Sequence, residues 1–258
     1  MSIQFADISE HQANIDADAY LRETRVIVCR THNGYRADHQ MPGRMAYLRG
    51  KPFTALGWYI YLAEDRDPAQ QAREFVKTIG SLRENEFAVV DHEEGSGDQI
   101  ARCEQALKVV DDWSSIKTTL YGGAAFVHAH LGGVDRWKRP LWLASYPNSY
   151  SPNTSLYPRG AEFWQYSDRA RFGGLPSGVD GNYYARSADE FLAMVRGAVP
   201  TQPSRQPAIQ QQTIVVDQQA DGDQEVFTLD DQGVVWHRWI RDGQWQAWQS
   251  LGQPGSKG

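Results

Sequence analysis

Cysteine is scarce. The chain has two in 258 residues, Cys29 and Cys103. They could form one disulfide at most, which excludes a disulfide-stapled scaffold. Both lie in apolar runs, VIVCR and ARCEQAL, so free buried thiols in a reducing compartment are expected. Long apolar stretches are missing too: no segment approaches the roughly 20 residues of a membrane span, so no membrane insertion is expected. The opening MSIQFADISEHQ has no basic leader and no apolar core of roughly 7–15 residues, so no secretory signal is expected. Positive charge is in deficit, 26 basic against 32 acidic side chains for a net −6, which argues against nucleic acid as the main target. No phosphate loop or dinucleotide fingerprint is present. His128-Ala-His130 lacks a third ligand nearby and reads as helix or loop. His11 and His92 need no metal, and Asp217 to Glu225 lacks calcium-loop spacing. The expectation is no cofactor and no metal.

What the chain has is apolar residues, at 41%, and nine tryptophans. Up to residue 198, short runs rich in Val, Ile, Thr and aromatics alternate with amphipathic segments. Strands are expected at 3–8, 26–31, 53–62, 87–91, 118–122, 140–146 and 162–167. Several are continuously apolar, as in strands covered on both faces. Helices are expected at 67–83, opened by Asp67 and Pro68; at 99–113, with Ile100, Cys103, Leu107 and Val110 on one face; within 122–139; and at 187–196, where Ser187 and Glu190 have capping-box spacing. Alternating strands and helices imply βαβ units. The expected fold class is α/β: an irregular, TIM-like β/α barrel with a small C-terminal all-β module.

In such a barrel, chemistry gathers at the C-terminal strand ends. Asp7 ends the first strand, Asp91 ends FAVVD, and Asp180 follows a glycine-rich segment. Glu93 is two residues beyond Asp91, on the same side of an extended chain and about 6.5–7 Å away at Cα. Carboxyls crowded there repel, so one is expected to hold its proton near neutral pH. Paired acids of this kind serve glycoside hydrolysis. The same D-x-E spacing at Asp223 and Glu225, beside a glycine, reads as a solvated turn. Tyr61, Tyr121, Trp142, Tyr146, Trp164 and Gln165 stand at or near strand ends, where they can line a sugar groove or pack the core. Core packing is the reading for Trp142 and Trp164.

DISEHQ (7–12), VVDHEEG (89–95), LWLASY (141–146), FWQYS (163–167) and GVDGNYY (178–184) stand in the order and rough spacing of the family-25 glycoside hydrolases. These are the Chalaropsis-type lysozymes, or N-acetylmuramidases, common among phage endolysins, and the resemblance spans about residues 3–196. It implies hydrolysis of the β-1,4 bond between N-acetylmuramic acid and N-acetylglucosamine in peptidoglycan. By the same resemblance Glu93 is the general acid. Asp91 is its partner, stabilising an oxocarbenium-like state or orienting the substrate's N-acetyl group, and Asp7 and Asp180 are further acids of the site. GWYIYLAE, with bulky Trp58 and Ile60, departs from the family's usual glycine-alanine lead, with consequences expected at the substrate subsites. The competing reading is a non-catalytic peptidoglycan- or glycan-binding lectin on a barrel scaffold.

Domains are expected at 1–198 and 214–258, joined by a Pro/Gln-rich linker at 199–213. Four of the nine tryptophans, Trp236, Trp239, Trp245 and Trp248, crowd the tail. EVFTLDDQGVVWHRWIRDGQWQAWQSLG resembles one blade of a PLL/tectonin-like β-propeller lectin. Lone repeats cannot bury their faces, so the expected partners are wall glycans and further copies of the chain, with the four tryptophans as sugar shelf or oligomer core. A monomeric wall-binding appendage is the alternative. A wall substrate without a secretory signal implies residence in the cytoplasm of the infected producing cell and holin-assisted release.

Overall fold

The computed structural model describes residues 2–12, 14–146, 152, 156–176 and 178–196, and the backbone of five later strands. The chain divides into two units, Met1–Pro200 and Thr201–Gly258. The expected linker, 199–213, lies outside the described residues.

The first unit is a closed eight-stranded barrel: β1 (Ile3–Ile8), β2 (Val26–His32), β3 (Ala55–Tyr61), β4 (Glu86–Asp91), β5 (Thr119–Gly123), β6 (Leu141–Ala144), β7 (Phe163–Ala170) and β8 (Val179–Tyr184), hydrogen-bonded in chain order. Neighbours from β1 to β7 are parallel. β8 was not among the expected strands. It runs antiparallel to both β7 and β1 and closes the barrel between them. Its reversed direction brings its first residues, not its last, to the end where β1 to β7 finish.

Helices α1 (Ala17–Tyr20), α2 (Gly43–Arg49), α3 (Pro68–Ile79), α4 (Ile100–Ser114) and α5 (Ala124–His130) follow the first five strands, and α6 (Ala188–Val195) follows β8. Among the described residues no α-helix lies between β6 and β8, so the barrel is irregular. The Asp67 side chain accepts from the Gln70 N–H at 2.6 Å, with Pro68 in the first turn of α3. Ser187 and Glu190 form the reciprocal capping box on α6. On α4, Cys103, Leu107 and Val110 are buried. Cys29 and Cys103 are both free and buried. His128 and His130 lie on α5, where the His130 ring meets the Gly97 carbonyl at 2.7 Å.

Strand parity splits the apolar side chains into two layers. Ala6, Ile8, Cys29, Trp58, Ile60 and Val90 face outward onto the helices. Phe5, Val28, Phe87, Val89, Trp142 and Phe163 face inward. Trp58 and Ile60 thus pack behind the sheet, and the bulk expected to alter the subsites lies away from the barrel's interior. α6 closes one end of that interior, its Phe191 ring 4.6–5.4 Å from the rings of Phe5, Phe87, Phe163 and Tyr184. Gly57 is the inward residue that makes room, since a Cβ there would sit 2.7 Å from Phe87.

The second unit is an antiparallel sheet of β9 (Val216–Gln218), β10 (Gln224–Leu229), β11 (Val235–Arg241), β12 (Gln244–Trp245) and β13 (Gln249–Gly252), with β12 and β13 both pairing with β11. Trp236 and Trp239 lie on β11, opposite Thr228 and Glu225, and Trp245 on β12 opposite Ile240. Trp248 lies outside the described residues.

One tyrosine hydroxyl ties the first two strands together. The fully buried Tyr20 accepts from the Ala6 N–H at 2.8 Å and donates to the Val26 carbonyl at 2.7 Å. Tyr20→Phe leaves both buried backbone groups unpaired and is expected to cost about 2–4 kcal/mol, read as a lower denaturation midpoint at unchanged slope.

Candidate active site

The inward parity that fills the closed end with aromatics continues into polar residues at the open end. Asp7, Arg30, Tyr59, Tyr61, Asp91, Trp142 and Gln165 are each an even number of residues from an inward apolar neighbour on their own strand, and Tyr121 itself faces inward on β5. β8 contributes Asp180, which stands in register with Asp7. Glu93 follows in the loop after β4. Together with Ser9 and Tyr146 these side chains line a cavity of about 250 Å³. Every barrel residue expected in the site is there: Asp7, Asp91, Glu93, Asp180, Tyr61, Tyr121, Trp142, Tyr146 and Gln165. Trp164 is fully buried and absent from the lining, as expected for core. Trp142 is both buried and part of the wall.

A hydrogen-bond chain fixes one acid. Asp7 Oδ2 accepts from Gln165 Nε2 and from Asn182 Nδ2, each at 2.8 Å. Gln165 Oε1 accepts from the Tyr121 hydroxyl at 2.8 Å and from the Tyr146 hydroxyl. Asn182 Oδ1 accepts from the Trp142 indole at 2.9 Å. The Tyr121 and Trp142 rings meet edge to face at 5.0 Å. A wall that could grip a sugar therefore also orients a carboxylate.

Asp91 differs. It is buried, and its Oδ1 has no hydrogen-bond partner among the described residues. Glu93 is exposed at the rim, though protein still surrounds much of it. Gly122 lets β5 close on this segment, since a Cβ there would lie 2.9 Å from the His92 carbonyl oxygen. His92 is buried on the far side, its ring 5.6 Å from Phe126, and burial pushes its pKa down to about 4.

All four acids are held above the ordinary carboxylate range. Burial raises Asp7 to about 6 against the pull of Asn182 and Gln165. Burial, then the charges of Glu93 and Asp7, lift Asp91 well above its usual value, with Arg30 pulling it back. Desolvation by the cleft walls, then Asp7 and Glu94, raises Glu93. Burial, then Asp7, raises Asp180 to about 8. The arrangement holds protons at neutral pH beside an aromatic wall, which suits proton donation to a leaving oxygen.

Arg30, Tyr59, Ser9 and Asn182 belong to the site but were not singled out from the sequence. Arg30 ends the inward row of β2, its Nε 3.0 Å from both Asp38 oxygens. Asn182 is two residues beyond Asp180, so inward parity was the available signal. Among the described residues no group of three or more His, Cys, Asp or Glu is arranged to hold a metal ion.

The family model described as glycosyl hydrolases family 25 matches residues 6–175. YegX of Escherichia coli K12 is 32% identical over 149 residues, which are 56% of this chain and 53% of YegX. The chain thus spans about half the length of the curated relatives it matches. Among solved structures, the bacterial lysozyme from Streptomyces coelicolor superposes with a TM-score of 0.64 at 20% identity, over 76% of this chain and 98% of that one. The catalytic domain of endolysin ply40, from bacteriophage P40 of Listeria monocytogenes, gives 0.64 at 24% identity, over 74% and 97%. At such identities these likenesses speak to the fold.

The raised acids make stability depend on pH. A carboxyl whose pKa is higher folded than unfolded stabilises fully below its unfolded value, about 4, and that contribution is lost as pH rises through the folded value. For Asp180 the window runs from about pH 4 to about 8. Asp180→Asn removes the penalty and is expected to raise stability at pH 8 by about 1–2 kcal/mol, with the gain vanishing near pH 4. Thermal unfolding across that range reads it.

Proposed function

The chain belongs to family 25 of the glycosyl hydrolases, and on that premise we propose that it hydrolyses bacterial peptidoglycan between N-acetylmuramic acid and N-acetylglucosamine. The observation that carries the reading is the convergence of Asp7, Asp91, Glu93 and Asp180 in one aromatic-walled mouth, all with raised pKa values. In this reading Glu93, reachable at the rim, donates its proton to the glycosidic oxygen as the C–O bond breaks. Asp91, with an unpartnered oxygen, faces the positive charge that develops at the anomeric carbon, or steers the N-acetyl group that shares it. Asp7, held by Gln165 and Asn182, adds negative potential where it is ionised, and Asp180 stands opposite it. Tyr61, Tyr121, Trp142, Tyr146 and Gln165 provide flat faces and hydrogen bonds for the sugar rings.

The tail is read as a single propeller-lectin blade binding wall glycans and joining copies of the chain, with Trp236, Trp239, Trp245 and Trp248 in its core or sugar shelf. A short antiparallel sheet is marginal alone, which supports assembly. Avidity would then raise affinity for the wall without new contacts. We further propose residence in the cytoplasm of the producing cell until holin-assisted release to the wall.

Digestion of purified peptidoglycan is expected to release fragments with new muramic acid reducing ends. Glucosamine ends would mean a different bond is cut, and no release would favour the lectin reading. Glu93→Gln is expected to lower kcat by at least about 10²–10³-fold with unfolding unchanged, and an active Glu93→Gln enzyme removes Glu93 from the acid's role. For the tail, light scattering of the full chain is expected to give a multiple of 29.1 kDa; a monomer at micromolar concentration overturns assembly.

A further inference from the structure

We propose that the barrel carries a second binding site, for the phosphate groups of a phosphodiester polymer, in a hollow bordered by the start of β1, the segment before β2 and the residues that follow β7. The arginines point to it. Elsewhere in this unit arginines are committed, to carboxylates as Arg49 is to Glu86 and Arg139 to Asp111, or to backbone carbonyls as Arg44 and Arg102 are. Arg22, Arg25, Arg159 and Arg171 have neither partner among the described residues. All but Arg159 line one cavity of about 730 Å³. In a chain of net charge −6, three exposed arginines without an ion-pair partner among the described residues, around one hollow, point to an anion.

The rest of the lining adds donors. Gln4 accepts the Tyr166 hydroxyl on its Oε1 at 2.7 Å, which leaves its amide N–H groups unused. The buried Thr24 hydroxyl has no partner. Glu23 also lines the cavity, its Oε1 accepting from the Gly173 N–H at 2.9 Å, so three positive charges are opposed by one negative. Ala188 opens α6 at the cavity's edge, but Ser187 and Glu190 already cap that turn, so the arginines supply the charge.

The geometry favours phosphate over carboxylate. One guanidinium fork satisfies a carboxylate's two oxygens, whereas three arginines lining one hollow with extra N–H and O–H donors suit a tetrahedral oxyanion. A cavity of this size exceeds one phosphate group, so the ligand continues as a chain. Ser2 precedes β1, Gln4 is its second residue and Asp7 stands near its other end, so these two lining residues lie about 10–16 Å from Asp7 along the chain. Polymer held here would leave the mouth free for glycan. The site does not depend on the muramidase reading.

Calorimetric titration of the full chain tests it, with a glycerol phosphate oligomer, inorganic phosphate and an oligogalacturonate as probes. Expected are saturable binding of the glycerol phosphate oligomer, weaker binding of inorganic phosphate, and affinity that falls with added salt. The double variant Arg25→Gln/Arg171→Gln, matched to the parent in thermal unfolding, is expected to bind at least tenfold more weakly with glycan hydrolysis unchanged. Backbone amide shifts at residues 22–25 and 171–173 are expected to move on titration of the parent chain, a readout that stands if the double variant fails to fold. No saturable binding, undiminished binding by a folded double variant, oligogalacturonate as tight as the phosphodiester, or shifts confined to the acidic mouth overturns the proposal. Inorganic phosphate as tight as the oligomer overturns the polymer as its ligand.

Discussion

Burial of four carboxyls in one barrel mouth is the constraint on which the rest of the site depends. Desolvation disfavours the charged form of each, and the charges of neighbouring acids add to it at Asp91, Glu93 and Asp180. Asp7, Asp91, Glu93 and Asp180 therefore all keep their protons to higher pH than free carboxyls do. A barrel that only needed to fold would not gather them. The surroundings relieve the strain unevenly. Asp7 receives two side-chain N–H bonds, Asp91 receives the field of Arg30 but no hydrogen bond on Oδ1, and Glu93 keeps access to water. Unequal relief makes the four carboxyls hold their protons unequally.

The fold makes this possible by separating stability from chemistry along the strands. Toward one end the inward positions are Phe5, Phe87 and Phe163, sealed by Phe191 of α6. Toward the other, the same alternation delivers Asp7, Asp91 and Gln165. Apolar burial at the closed end, about 25 cal/mol for each Å², offsets the cost of crowding acids at the open end. The reversed β8 serves both ends at once. Its first residues set Asp180 and Asn182 beside Asp7, and its far end leads into the helix that seals the barrel.

How much of this was legible follows from local pattern strength. β4 could be read because four apolar residues, FAVV, end on an acid, and α3 and α6 because their caps are local devices. β8 was missed because V-D-G-N-Y-Y alternates polar inward residues with a glycine, so neither apolar run nor β-branched richness marks it, although the GVDGNYY segment that holds it was found by resemblance. Arg30 and Tyr59 escaped notice for a related reason: at the mouth, inward positions turn polar, and an isolated Arg or Tyr at a strand end looks like solvent-facing surface until the barrel's curvature is known. Trp58 shows the converse. Its size suggested a change in the groove, but parity sends it outward, against α2, where the Arg49 guanidinium lies 5.8 Å from its ring.

The distribution of charge extends the argument beyond the mouth. An overall charge of −6 with four acids at one end should repel anionic walls and the glycans embedded in them. Repulsion of that kind is long-ranged and screened over about 8–10 Å in physiological salt, so a basic hollow outside the mouth can act with little interference from the acids. The two sites then solve different problems. The acidic mouth must stay partly protonated and close to a neutral sugar bond, while the arginine-lined hollow can stay fully charged and engage whatever anion surrounds that bond. Had both been in one place, Arg22, Arg25 and Arg171 would have lowered the very pKa values that the acids need raised.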